Sequence, residues 1–139
     1  MKIKFVDRPD VHLWWPHAHK FLKMGLETSE NEVTLEQLYE LINSGHTQLI
    51  MYFNDDLEVA GAMTCNFISL PNMRVLHVSA LSGYRVIDQR SLWNEFKNEC
   101  VKHGVHSIRA ACKPAQARLW RRFGFNTIYQ QIEVKLTGR

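Results

Sequence analysis

The apolar positions change period several times along the chain, and each change marks an element. Residues Lys2 to Val6 alternate, with Ile3 and Phe5 on one face and Lys2 and Lys4 on the other, which is a strand pattern. Arg8-Pro9-Asp10 ends it. Pro16 shapes the next element. Proline suits a first helical turn and disrupts later ones, so the spacing predicts a helix from Trp15 or Pro16 to about Met24. Gly25 reads as its C-terminal stop, and Val11 to Trp14 as a separate turn. Trp14, Trp15, Phe21 and Leu22 belong to a core or an interface. Thr34 and Gln37 form a capping box. Leu35, Leu38, Tyr39, Leu41 and Ile42 then make one helical stripe that stops at Gly45.

Gln48 to Phe53, Val59 to Ser69 and Arg74 to about Ala80 read as three strands, separated by Asn54-Asp55-Asp56 and Leu70-Pro71-Asn72. Such short connections make them antiparallel neighbours. A polar turn, Leu81 to Arg90, leads into a helix from Ser91 to His103, with Asp88 or Ser91 as N-cap and Gly104 as stop. Leu92, Trp93, Phe96, Cys100 and Val101 lie at helical spacing on it. Val105 to Cys112 is the next strand. A helix separates it from the Arg74 strand, so the two run parallel through a right-handed crossover. Pro114 opens a short helix, Ala115 to Phe123, closed by Gly124. Thr127 to Leu136 alternates at Ile128, Gln130, Ile132 and Val134 and reads as a last strand. The order β-α-α-β-β-β-α-β-α-β describes one α/β (α+β) domain over residues 1–139.

Composition adds little to this until charge is mapped. With 45% apolar and 22% charged residues the chain is an ordinary globular one. No stretch reaches the roughly 20 apolar residues of a membrane span. MKIKFVDRPD lacks the apolar core of a signal peptide. Cys65, Cys100 and Cys112 lack metal-ligand spacing and read as reduced thiols, which fits a cytoplasmic location. His12, His17 and His19 cluster, but no carboxylate or cysteine completes a metal pattern. The net charge of +3 hides an asymmetry. Leu26 to Glu58 holds eight acidic residues and no Lys or Arg, whereas Arg85 to Arg122 holds nine basic and three acidic ones. Two solvated faces account for this, as does a basic anion site facing an acidic approach for a cationic partner. The Arg118, Arg121 and Arg122 cluster has no interleaved stacking aromatics, which argues against nucleic acid.

The element order, together with Arg118 to Phe125 (RLWRRFGF) after the penultimate strand, resembles the GNAT superfamily of acyl-CoA N-acyltransferases. The likeness covers nearly the whole chain in topology. It implies a mostly antiparallel twisted sheet of six or so strands, splayed between the parallel Arg74 and Val105 strands, with helices on both faces. It also implies acetyl-CoA or another acyl-CoA as donor. The pyrophosphate would lie over Arg85 to Arg90 and the thioester beside His77 to Ala80, so that Ala80, Ser82, Arg85, Asp88, Gln89 and Arg90 are the candidate contacts. In the family, glycines in that turn let backbone N–H groups reach the phosphate. Here Asp88 and Arg90 stand at the small-residue positions, so the turn is a degraded form of that CoA grip. Asp88 puts a negative charge where phosphate should sit, and the side chains crowd the approach. Trp120 occupies the place of a tyrosine that protonates the leaving thiolate, and Lys113 that of an asparagine. An indole cannot act as a general acid.

His77, with Ser79 two residues on and on the same face, is the candidate base for an acceptor amine. A half-buried strand histidine fits the same pattern. The chain is also similar to small GNAT-like proteins of T7-type bacteriophages in length and in its first helix, here Trp15-Pro16-His17-Ala18-His19. That likeness implies a non-catalytic protein of host cytoplasm or virion, acting in assembly or protein binding. The Trp14/Trp15 pair and the acidic 26–58 region would be its partner surfaces. Oligomeric state is left open.

Overall fold

The computed structural model describes residues 2–27, 32–83 and 90–137. Five strands form one sheet in the order β1 (Lys2–Phe5), β2 (Gln48–Phe53), β3 (Val59–Leu70), β4 (Met73–Gly83) and β5 (Ser107–Ala110). The first four are antiparallel neighbours, as their short connections require, and β5 runs parallel to β4. Four helices accompany them: α1 (Val11–Leu26), α2 (Leu35–Asn43), α3 (Arg90–Lys102) and α4 (Pro114–Trp120). Helices pack on both faces. Phe21 and Leu22 of α1 and Leu38 and Ile42 of α2 share one core with Leu49, Met51, Ala62 and Ala80. Trp93 and Phe96 of α3 and Trp120 of α4 share the other with Ile50, Met63, Leu76 and Val78.

The first helix differs from its sequence reading. It begins at Val11 and carries Pro16 inside it. Proline denies the His12 carbonyl its amide partner, at about 3 kcal/mol for an interior position. Pro16 is exposed, so water can serve that carbonyl. Burial outweighs the loss, since Val11, Phe21 and Leu22 on one stripe contribute roughly 1.5–3 kcal/mol each. Gly25 is no stop, because the helix continues to Leu26. A Cβ at Gly25 would lie 3.3 Å from the backbone N of Leu81. The glycine lets α1 lie directly on β4. The second helix is as expected: Thr34 Oγ1 accepts from Gln37 N at 3.1 Å, and Gln37 Oε1 accepts from Thr34 N at 2.9 Å.

The Trp14/Trp15 pair is engaged within the chain. Trp14 meets Phe53 edge-on at 5.5 Å, and Trp15 lies 4.6 Å from Tyr39. His17 and His19 lie against these two indoles. On α3, Leu92, Trp93, Phe96 and Cys100 are buried, while Val101 faces solvent. Leu119 of α4 also stays partly exposed, beside exposed Arg118, Arg121 and Arg122, and Phe123 turns inward.

The expected sixth strand does not form. Thr127 to Leu136 joins no ladder of the sheet, and Ile128, Tyr129, Ile132, Val134 and Leu136 are 60% to 91% exposed. Alternation specifies which side of a strand is apolar. It does not supply a neighbour for the strand to bond with.

Candidate functional site

The place of interest is the middle of β4, where two irregularities coincide. The parallel ladder with β5 runs from Val75↔Ser107 to Val78↔Ala110 and ends there. β4 itself continues to Gly83, so Ser79 to Gly83 has β3 on one side and no β5 partner on the other. The cause lies in β5, whose chain leaves after Ala110 for Pro114. That proline, with φ fixed and no N–H, opens α4. The second irregularity is a bulge. Cys65 pairs with Val78 and Thr64 with Ala80, leaving Ser79 without a register partner. Bulges of this kind re-aim backbone groups and are common beside active sites.

The bulge also shifts the alternation of side chains. Leu76 and Val78 face the α3/α4 core, Ala80 faces the α1/α2 core, and Leu81 returns to the α3/α4 side. Ser79 lies with Thr64, a fully buried threonine on the α1/α2 side. Their hydroxyls are 2.8 Å apart, and Ser79 Oγ also donates to the Thr64 carbonyl at 3.2 Å. Thr64 therefore donates to Ser79, and the pair fixes the bulged residue. Nothing in the sequence flagged Thr64.

His77 is half-buried on β4, opposite Asn66 of β3 and Arg109 of β5. Burial lowers its pKa from the usual 6.5, and the Glu32 carboxylate opposes this only in part. The imidazole is therefore neutral at pH 7 and able to take a proton. No hydrogen bond joins it to Ser79 among the described residues. Ala80 is buried, Ser82 is half-buried opposite Ala62, and Arg90 is exposed as the first residue of α3. The first turn of α3 holds no acidic residue. Arg85, Asp88 and Gln89, together with the rest of the 84–89 turn, lie outside the described residues.

Trp120 packs its indole among other rings. It is buried, 5.5 Å from Trp93 and 4.8 Å from Phe125, both nearly edge-on. Lys97 of α3 closes this cluster by donating to the Phe123 carbonyl at 2.6 Å, just before Gly124 turns left-handed at φ 94°. The thiols of Cys65 and Cys100 are buried, and burial with the neighbouring Glu99 pushes Cys100 up to about 12. Neither thiol is a nucleophile at neutral pH. On the acidic side, an open depression of about 620 Å³ is lined by Glu32, Val33, Gln37, Glu40, Leu41 and Ser44.

No protein-family model matches the sequence, and no curated protein matches it. Solved structures do. A probable acetyltransferase superposes with a TM-score of 0.70 at 13% identity, over 100% of both chains. An aminoglycoside acetyltransferase from an uncultured soil metagenomic sample, in complex with sisomicin, gives 0.69 at 11% identity, over 99% of this chain and 96% of that one. Glucosamine-6-phosphate N-acetyltransferase from Arabidopsis thaliana gives 0.62 at 14% identity, over 98% of each chain. At such identities the likeness establishes the fold. The chain has the GNAT-like α+β architecture, with a mixed five-stranded sheet and a parallel β4–β5 pair.

Proposed function

We propose that the protein is an N-acyltransferase that transfers an acyl group from an acyl-CoA to an amine. One observation carries the reading: the β4–β5 ladder ends at Val78↔Ala110, at the same point where the Ser79 bulge interrupts the β3–β4 register. That coincidence leaves Ser79 to Gly83 without a β5 partner. Backbone groups there suit an extended amide-bearing arm, and an N–H at the bulge suits a thioester carbonyl oxygen. At the far end, the N-terminus of α3 offers its dipole and Arg90 to phosphate. These residues fit an acyl-CoA, which as substrate would supply the activated acyl group.

Each residue then has a role. Ser79, held by Thr64, keeps the bulge in shape. Neutral His77 accepts the proton that the amine loses as its C–N bond forms and the C–S bond breaks. The acidic depression with Glu32 and Glu40 favours a cationic acceptor. Titration calorimetry with acetyl-CoA tests this. The expected result is micromolar binding, weakened at least about fivefold by Arg90→Ala, a loss of roughly 1 kcal/mol. Absence of binding at millimolar acetyl-CoA would overturn it.

A second reading has one observation in its favour. Trp120, at the place of the family's thiolate-protonating tyrosine, is buried among rings and offers no titratable group. This favours a non-catalytic protein of the phage type, acting in virion assembly or protein binding. The Trp14/Trp15 side or the acidic 26–58 region would then meet the partner. Failure of the calorimetric test would leave this reading standing.

A further inference from the structure

At one level of the sheet the two faces differ in kind. On the α3 side, Phe67, Leu76 and Ile108 belong to the apolar core or pack against it. On the α1 side, neighbouring strands place polar residues side by side. Thr47, just before β2, donates from Oγ1 to Asn66 Oδ1 at 3.2 Å. Asn66 pairs with His77, and His77 pairs with Arg109. Neighbouring strands lie about 4.8 Å apart, so imidazole and guanidinium leave the sheet next to each other on that face. The apolar core of the same side begins two residues on from Thr47, at Leu49.

Arg109 lacks a partner of matching charge in this row. It is half-buried, its Nε is shut off from solvent without an acceptor, and its Nη2 reaches the Met73 Sδ at 3.7 Å. Among the described residues it forms no ion pair. Arg74, whose Nε is likewise buried, at least covers the Phe67 ring, 4.6 Å from its centroid. A partly desolvated cation against a thioether gains most from an anion. Its neighbours limit which anion fits. His77 is neutral, Asn66 has its amide N–H groups to offer, and the Glu32 carboxylate is near enough to act on the imidazole. One guanidinium with one carboxylate close by suits a single negative charge joined to a positive one, and not a phosphate dianion.

We propose, building on the acyltransferase reading, that Arg109 binds the carboxylate of the acceptor, which is a small α-amino acid with its amine at His77. The two side chains stand one strand apart, which matches the short distance between amine and carboxylate in such a molecule. A peptide does not match, because its carboxylate lies far from its N-terminus. The ammonium form of the acceptor meets Glu32 before it gives up its proton. Arg109 sets specificity in this arrangement and takes no proton itself.

The test follows amide chemical shifts of the isotope-labelled full chain at neutral pH, titrated with L-alanine or with L-alaninamide and without acetyl-CoA. Both probes carry the amine and the methyl group, and L-alanine alone has a carboxylate. L-Alanine should move the signals of Asn66, His77 and Arg109, and L-alaninamide should bind at least about tenfold more weakly, because a charge-assisted pair is lost. In Arg109→Gln the two probes should bind alike, whereas Arg109→Lys should keep part of the preference. Equal affinity of the two probes for the wild-type chain would overturn the proposal, whether or not either variant folds. So would the absence of shifts at tens of millimolar L-alanine, or a preference that survives in folded Arg109→Gln. Failure of acetyl-CoA to bind, with L-alanine still preferred, would remove the acyltransferase reading alone and leave Arg109 as a carboxylate site.

Discussion

The two halves of β4 differ in almost everything except their partner β3. From Val75 to Val78 the strand is paired on both sides, and Val75, Leu76 and Val78 are buried. From Ser79 to Gly83 one side is open, the register slips by a residue, and the side chains are small: Ser79, Ala80, Ser82 and Gly83, with only Leu81 larger. The first half is sheet interior and contributes stability. The second is backbone presented to a ligand, steadied by the Thr64–Ser79 pair on one side and by the close approach of α1 at Gly25. Cohesion and binding are thus divided along one strand, because a backbone group cannot both complete a ladder and meet a substrate.

Four substitutions or conditions probe that division, and the largest effect falls in the interior half. Leu76→Ala should cost about 3 kcal/mol, as for other fully buried leucines, read as a lower midpoint in urea with an unchanged slope. A loss under about 1 kcal/mol would mean the interior half is not the main support of the sheet. Next comes Gly25→Val. Crowding the Leu81 backbone should cost about 2 kcal/mol and weaken acetyl-CoA binding together with stability. An unaffected affinity would separate α1 from the open half.

Thr64→Val keeps the shape but removes the hydroxyl that donates to Ser79, and should cost about 1 kcal/mol. Amide exchange at Ser79 and Ala80 should quicken, while that at Val75 and Leu76 stays as it was. Equal acceleration in both halves would abolish the distinction between them. The smallest effect is that of pH. Burial holds the His77 pKa below 6.5, so near that pH the unfolded chain binds more protons than the folded one. Stability is therefore full above the unfolded value and declines as pH falls through the folded one. Any acyl transfer should fade over the same acid range, and His77→Gln should remove both dependences. An unchanged acid limb in that variant would exclude His77 as the base.

Much of this architecture is legible in the residues because it rests on local signals. Alternation places β1 to β4 in register with their turns, the Thr34–Gln37 box places α2, and a helix between two strands makes β4 and β5 parallel. Pro16 and Gly25 depart from their local reading for one reason: each has a meaning in the local pattern that packing overrides. The stripe from Val11 to Leu22 carries α1 through the proline, and the nearness of β4 puts the glycine to use inside the helix. Of the candidate site, His77, Ser79 and Ala80 lie on one strand, as expected, and Ser82, expected in the following turn, lies on it too because β4 runs on to Gly83. The hydroxyl pair with Thr64 is not legible, since it joins residues fifteen positions apart through a one-residue slip in register.

What the sequence determined by itself was periodicity and its punctuation, and hence the order, kind and facing of the elements. Tertiary structure decided where pairing stops. Whether a ladder continues past Val78, and whether the alternating residues 127–137 find a neighbour, depends on which backbone groups other parts of the chain leave free. Hydrogen bonding between strands is satisfied across space and carries no mark in the local pattern, so the open edge of β4 and the unpaired final segment emerged only in three dimensions.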